Sequence, residues 1–142
     1  MSRELYEGAL KELAAVNSLP SLLPSPDRQA SVDNPFCGDR VDLQINLEEG
    51  RVSAVALQVR GCMLCRAAAN ALARFGIGLS KVEFETVRDS LTTMLQSEDI
   101  IEWVPEGWSA LILFEPVRRH KSRHGCVILP YTAMLEALSD EH

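Results

Sequence analysis

Positive charge is in short supply in this chain, and so is any long apolar run. Lys and Arg number 14 against 20 Asp and Glu, a formal net charge of −6 over 142 residues. A surface of that sign repels a phosphate backbone, so no nucleic-acid partner is expected, whereas steering towards a basic patch on another protein is favoured. No stretch approaches the ~20 consecutive apolar residues that cross a bilayer. The opening Met1-Ser2-Arg3-Glu4 leads into a polar amphipathic stretch rather than the apolar centre of a secretory signal. A cytoplasmic protein with no membrane attachment is therefore expected. In that reducing compartment the four cysteines read as metal ligands, reactive thiols or buried small hydrophobes rather than a disulfide framework. A second Cys-x-x-Cys to complement Cys62 and Cys65 is missing, so the spacing is not that of a zinc finger. Repeats and low-complexity tracts are missing too. With 46% apolar and 24% charged residues, one ordinary domain spanning 1–142 with its own core is expected.

What is present reads as an α+β fold. Tyr6, Ala9, Leu10, Leu13 and Val16 share one helical face, with Glu4, Glu7, Lys11 and Glu12 opposite, predicting a helix over 3–16 with a Glu7–Lys11 pair one turn apart. Pro20, Pro24 and Pro26 then predict a loop over 18–33. Val41, Leu43, Ile45 and Leu47 alternate with Asp42, Gln44 and Asn46, and Val55, Leu57 and Val59 alternate again after Glu48-Glu49-Gly50, which predicts an antiparallel hairpin ending at Gly61. Helices are predicted over 66–74, bounded by Gly76, and over 85–96. Periodicity does not decide between strand and buried helix for 108–117. Pro130, tolerated in a helix's first turn, predicts a last helix over 130–138 in an element starting near Val127. The expected fold is a small antiparallel sheet of about three strands with helices packed on it.

Each of the four cysteines is expected at a junction rather than in the middle of an apolar face. Cys37 lies in the Pro35-Phe36-Cys37-Gly38-Asp39 turn, Cys62 follows Gly61 where hairpin gives way to helix, and Cys126 follows Gly125 before the last helix. A thiol at a helix N-terminus meets the positive end of the helix dipole, which favours thiolate, the form that binds metal and attacks sulfur. Asp39 taken alone is a turn residue able to bond its own backbone.

Three ordered boxes carry a resemblance. Asn34-Pro35-Phe36-Cys37-Gly38-Asp39, Gly61-Cys62 leading into an alanine-rich helix, and Arg123-His124-Gly125-Cys126 followed by Leu129 resemble the three cysteine boxes of the IscU/NifU N-terminal family of iron–sulfur cluster assembly scaffolds. The long interval between Cys62 and Cys126 is similar to the insertion of its SufU branch. The resemblance implies an IscU-like fold and a metal site of Cys37, Asp39, Cys62 and Cys126, holding zinc or a transient 2Fe-2S cluster. It implies no enzyme but a scaffold or zinc-bound sulfur acceptor. A cysteine desulfurase would deliver persulfide sulfur to Cys37 or Cys126, and recipient iron–sulfur apoproteins would take the product. Two features depart from the family. Cys65 stands where a small polar residue is usual, and is open to three readings: an alternate ligand, a disulfide partner for Cys62, or a packed small hydrophobe. The Leu-Pro-Pro-Val-Lys chaperone segment beside the last cysteine is missing, with only a partial echo at Pro116-Val117-Arg118.

Arg118, Arg119, Lys121 and Arg123 cluster with His120 and His124 in an otherwise acidic chain, as a solvated loop or a docking patch. Arg123 belongs to the third box and is the candidate for partner docking; His124 is a possible further ligand. Two other functions compete. One is a thiol oxidoreductase using Cys62 and Cys65, which needs a thioredoxin-like βαβ context. The other is a structural zinc-binding interaction domain.

Overall fold

Alternation along one strand organises the molecule. The computed structural model describes residues 8–16, 20–36, 38–103 and 106–139. Its sheet has three antiparallel strands in the order β1 (Arg28–Asn34), β2 (Asp39–Glu48), β3 (Arg51–Arg60). Along central β2, Val41, Leu43 and Ile45 are buried while Arg40, Asp42, Gln44 and Asn46 are only partly covered. The β2–β3 turn places Glu49 and Gly50 at φ 54° and 76°, the two positive values that a tight hairpin following the strand twist demands.

All of β1 but Asn34 lies inside the 18–33 stretch expected to be loop. Its sequence hides it, because Ala30 and Val32 alone alternate among polar residues. Pairing onto β2 defines it, with Ala30 opposite Leu43 and Val32 opposite Val41. On the outer face Arg40 bridges Asp33 at 3.3 Å and Asp42 at 3.2 Å. The Ser31 hydroxyl donates to Asp42, and that bond, with Arg40 behind it, holds the Asp42 carboxyl below its usual range.

Helices cover the inner face. α4 (His124–Ala137) packs on β1 and β2; α2 (Met63–Phe75) packs on α4 and β3; α1 (Ala9–Ala14) packs on α2, and α3 (Lys81–Gln96) on α4. Of the helix expected over 3–16, α1 is the part observed; Glu4, Tyr6 and Glu7 lie outside the described residues. α2 starts earlier than expected, with Cys62 as its N-cap. Its Ala67, Ala68, Ala69, Ala71 and Ala73 are all buried, short side chains that let neighbouring elements approach. α3 also starts earlier, at a capping box that apolar periodicity does not register: the Glu83 N–H reaches the Ser80 hydroxyl while the Glu83 carboxylate accepts from the Ser80 N–H at 3.0 Å.

The ambiguous 108–117 segment is neither strand nor α-helix but part of a long run of 3-10 turns, Glu106–Arg119. Trp108, Leu111, Phe114 and Val117, three apart, are its buried face. Trp108 meets Phe75, Phe84 and Tyr131 edge-on, with centroids 5.7, 6.3 and 5.9 Å away. Pro130 sits in the interior of α4 rather than its first turn. The cost of a helix-interior proline is about 3 kcal/mol, and here burial of Val127, Leu129, Tyr131, Ala133, Met134 and Ala137 around it outweighs that cost.

Removing the Ser80 hydroxyl by Ser80→Ala is expected to cost about 1 kcal/mol of stability, measured by urea unfolding. Glu83 is held below its ordinary value of 4.5, first by the Ser80 N–H and then by Arg51. A depressed carboxyl stabilises above its ordinary value and loses that contribution as pH falls through the lowered one. The penalty of Glu83→Gln should therefore be present at neutral pH and fade on acidification below the carboxylate range.

Candidate metal centre

β2 begins on a residue that breaks the chemistry of its buried face. Asp39 holds the inward register of Val41, Leu43 and Ile45, and with 4% exposure it is the one buried polar or charged side chain among the described residues. An ionised carboxylate enclosed in protein costs several kcal/mol unless a counter-charge or a metal compensates it.

Two thiols come to it from two helix N-termini. Cys62, the N-cap of α2, is half-buried, and its Sγ lies 3.9 Å from Asp39 Oδ2. Cys126, third residue of α4, is fully buried. One ligand atom from each of Asp39, Cys62 and Cys126 falls within 4.8 Å of the other two. Two sulfurs and one carboxylate oxygen suit zinc or another thiophilic cation, which would supply the charge that the buried carboxylate lacks. Cys37, expected as the fourth ligand, lies outside the described residues.

The glycines directly before Cys62 and Cys126 make room for this convergence. A Cβ at Gly61 would stand 2.9 Å from Asp39 Cγ and 3.2 Å from Cys65 Cβ. A Cβ at Gly125 would stand 2.6 Å from Asn34 Nδ2. Asn34 in turn shapes the first box, its side-chain oxygen accepting from the Phe36 N–H at 3.1 Å and its carbonyl from the Gly38 N–H at 2.8 Å. Gly38 has φ 76°, a value that an L side chain resists. The available signal was a glycine directly before both Cys62 and Cys126.

The remaining candidates fall elsewhere. Cys65, expected at a junction like the other cysteines, is instead a core residue: as third residue of α2 it turns inward and is fully buried, outside the trio of mutually close donors. His124 is not in the trio either: its Nε2 donates to the carbonyls of Val117 at 3.1 Å and Arg118 at 3.0 Å, pinning the start of α4. Arg118 Nε donates to the Met94 carbonyl at 2.9 Å, and Arg123 closes the short 3-10 turn Lys121–Arg123, partly buried.

Comparison with known proteins bears on the family and the fold. The model of the family described as NifU-like N terminal domain matches residues 17–101, a span that takes in Cys37, Asp39 and Cys62 and stops short of Cys126. The iron–sulfur cluster assembly scaffold protein IscU of Streptococcus pyogenes serotype M1 is 26% identical over 107 residues, which are 75% of this chain and 66% of that protein. The match thus spans a little under two thirds of the relative's length. The crystal structure of a nitrogen-fixing NifU-like protein (N-terminal) from Brucella abortus superposes with TM-score 0.87 at 28% identity, covering 96% of this chain and 94% of the other. A protein of Fervidobacterium islandicum AW-1, assigned as an iron–sulfur cluster assembly scaffold for the SUF system, shares the fold with TM-score 0.86 at 20% identity, covering 98% and 100%.

Gly61→Ala should displace the Asp39 carboxylate. Overpacking of this kind costs about 1–3 kcal/mol, and zinc affinity, read by competition with a chromogenic chelator, should fall with it. Gly125→Ala should destabilise as well, and Asn34→Ala in the same chain should relieve the steric part, because the contact removed is the one with the Asn34 side chain.

Proposed function

This chain belongs to the NifU-like N terminal domain family, and from that membership and the three-donor site we propose that it is a scaffold for iron–sulfur cluster assembly. Residues 1–142 then form a single domain of this kind, a reading supported by the near-complete overlap with the Brucella structure. The observation that carries the proposal is the meeting of a buried carboxylate with two helix-terminal thiols within 4.8 Å. We assign Cys37, Asp39, Cys62 and Cys126 as the ligand set. Thiolates are the ligands that iron–sulfur clusters require, and the single carboxylate is the ligand best able to leave and free a position. Zinc bound there in the resting protein would keep the thiols deprotonated and shielded.

Sulfur arrives from a cysteine desulfurase. A scaffold thiolate attacks the outer sulfur of the enzyme's persulfide; the new S–S bond forms on the scaffold, and the desulfurase cysteine leaves as thiolate. Of the two expected acceptors, Cys126 is fully enclosed, which favours Cys37 for this first step. The product passes to recipient iron–sulfur apoproteins, with Arg123 and its basic neighbours as a docking surface for an acidic partner. The chain contributes ligands and a route for sulfur, with no turnover of its own. An oxidoreductase of thioredoxin type is disfavoured because the antiparallel β2–β3 hairpin, not a βαβ unit, leads into Cys62. A zinc domain that only docks a partner would be indifferent to the desulfurase.

Elemental analysis of the purified protein should find one tightly held metal per chain, zinc in preference to iron. Serine at Cys37, Cys62 or Cys126 should weaken it by roughly tenfold or more and lower the thermal midpoint, while Cys65→Ser should retain it. Asp39→Ala should stay folded and keep metal or cluster yet transfer sulfur or cluster slowly in a desulfurase-coupled assay. Without metal it should be at least as stable as the parent, because an enclosed carboxylate has been removed. Unchanged transfer would take Asp39 out of the mechanism.

A further inference from the structure

Cys65 has no part in the ligand set, yet its setting is that of an inner thiol paired with an outer one. Cys62 has an extended backbone at the N-cap of α2, φ −68° and ψ 169°, and is half-buried; Cys65, three residues on in the same first turn, is fully buried. Both are present as thiols. Positions three apart on a helix share a face, and ordinary helix geometry sets their Cα atoms about 5 Å apart, inside the ~4.4–6.8 Å that a disulfide bridges. The point where a Gly61 Cβ would stand is 3.2 Å from Cys65 Cβ and 3.0 Å from Asp39 Oδ1. The base of the Cys65 side chain therefore stands against the floor of the site in which Cys62 Sγ approaches Asp39.

We propose that Cys62 and Cys65 form a reversible disulfide that competes with the metal for Cys62. The inference rests on the ligand assignment above. The oxidant is a small-molecule disulfide. Cys62 thiolate attacks one of its sulfurs, forming a mixed disulfide and expelling one thiolate. Cys65 thiolate then attacks the Cys62 sulfur, forming the internal S–S bond and expelling the second thiolate. Two protein thiols are oxidised and one external disulfide is reduced. The bridged Cys62 no longer offers a thiolate, so the site loses a ligand; conversely, a metal-bound Cys62 is withheld from attack. The difference in burial fits these roles, since the half-buried outer thiol meets the oxidant and the enclosed one needs only to reach its neighbour.

The test treats the metal-free, reduced protein with oxidised glutathione and follows it by intact mass and peptide mapping. The expected product has lost two hydrogens, links Cys62 to Cys65, and takes up zinc about tenfold less well or worse, with full recovery after dithiothreitol. Zinc-loaded protein should react at least about tenfold more slowly. Cys65→Ser should bind zinc as the parent does and stop at the mixed disulfide on Cys62; Cys65→Ala, which brings no buried hydroxyl, should behave the same way. A map joining Cys62 to Cys37 or Cys126, or an internal disulfide that still forms in both Cys65 variants, would overturn the proposal. So would zinc uptake undiminished by the Cys62–Cys65 link. A reduced protein that takes up no metal overturns the ligand assignment and with it the competition, while the mass map separately decides whether the disulfide exists.

Discussion

Asp39 occupies a place that alternation along β2 reserves for an apolar side chain. Val41, Leu43 and Ile45 continue the same face into the core, so the carboxylate is enclosed by the pairing that buries them. A one-residue slip would free it, but the slip would also turn all three apolar neighbours to solvent. Strand register therefore holds the carboxylate where its charge is costly, and the sheet's stability underwrites the site.

The surroundings follow from that constraint. A buried carboxylate needs compensating partners, and α2 and α4 bring theirs end-on, each presenting its N-terminus with a cysteine in or beside the first turn. End-on approach crowds the backbone, which is why the residue before each thiol is glycine. Gly61 yields space to the Asp39 carboxylate and Gly125 yields it to Asn34. Asn34, at the end of β1, ties the turn that follows it through Phe36 and Gly38. A strand end, two helix starts and one turn thus meet at a point with little slack.

Much of this was legible in the residues. The β2–β3 hairpin, the helical identity of α2 and α3, and the grouping of Asp39 with Cys62 and Cys126 follow from alternation, alanine content and the three cysteine boxes. The failures have separate physical causes. β1 carries too few apolar residues to announce itself and is defined by a neighbour distant in sequence from its own start, Arg28 opposite Ile45. The start of α3 is written in a hydrogen-bonding pattern, Ser80 with Glu83, to which a search for apolar periodicity is blind. Pro130 misled because a local rule was outweighed by the burial of the whole helix.

The 3-10 segment was unread for a different reason, and it bears on the site. Trp108, Leu111, Phe114 and Val117 repeat every three residues, a period that matches neither the strand nor the α-helix template. Once that face packs, the carbonyls of Val117 and Arg118 are fixed, and both accept from His124 Nε2, two residues before Cys126. Arg118 is itself tied to the end of α3 through the Met94 carbonyl. The element that periodicity could not assign is therefore the one that sets where α4 begins. Through that start it positions the buried Cys126 thiol against Asp39 and Cys62.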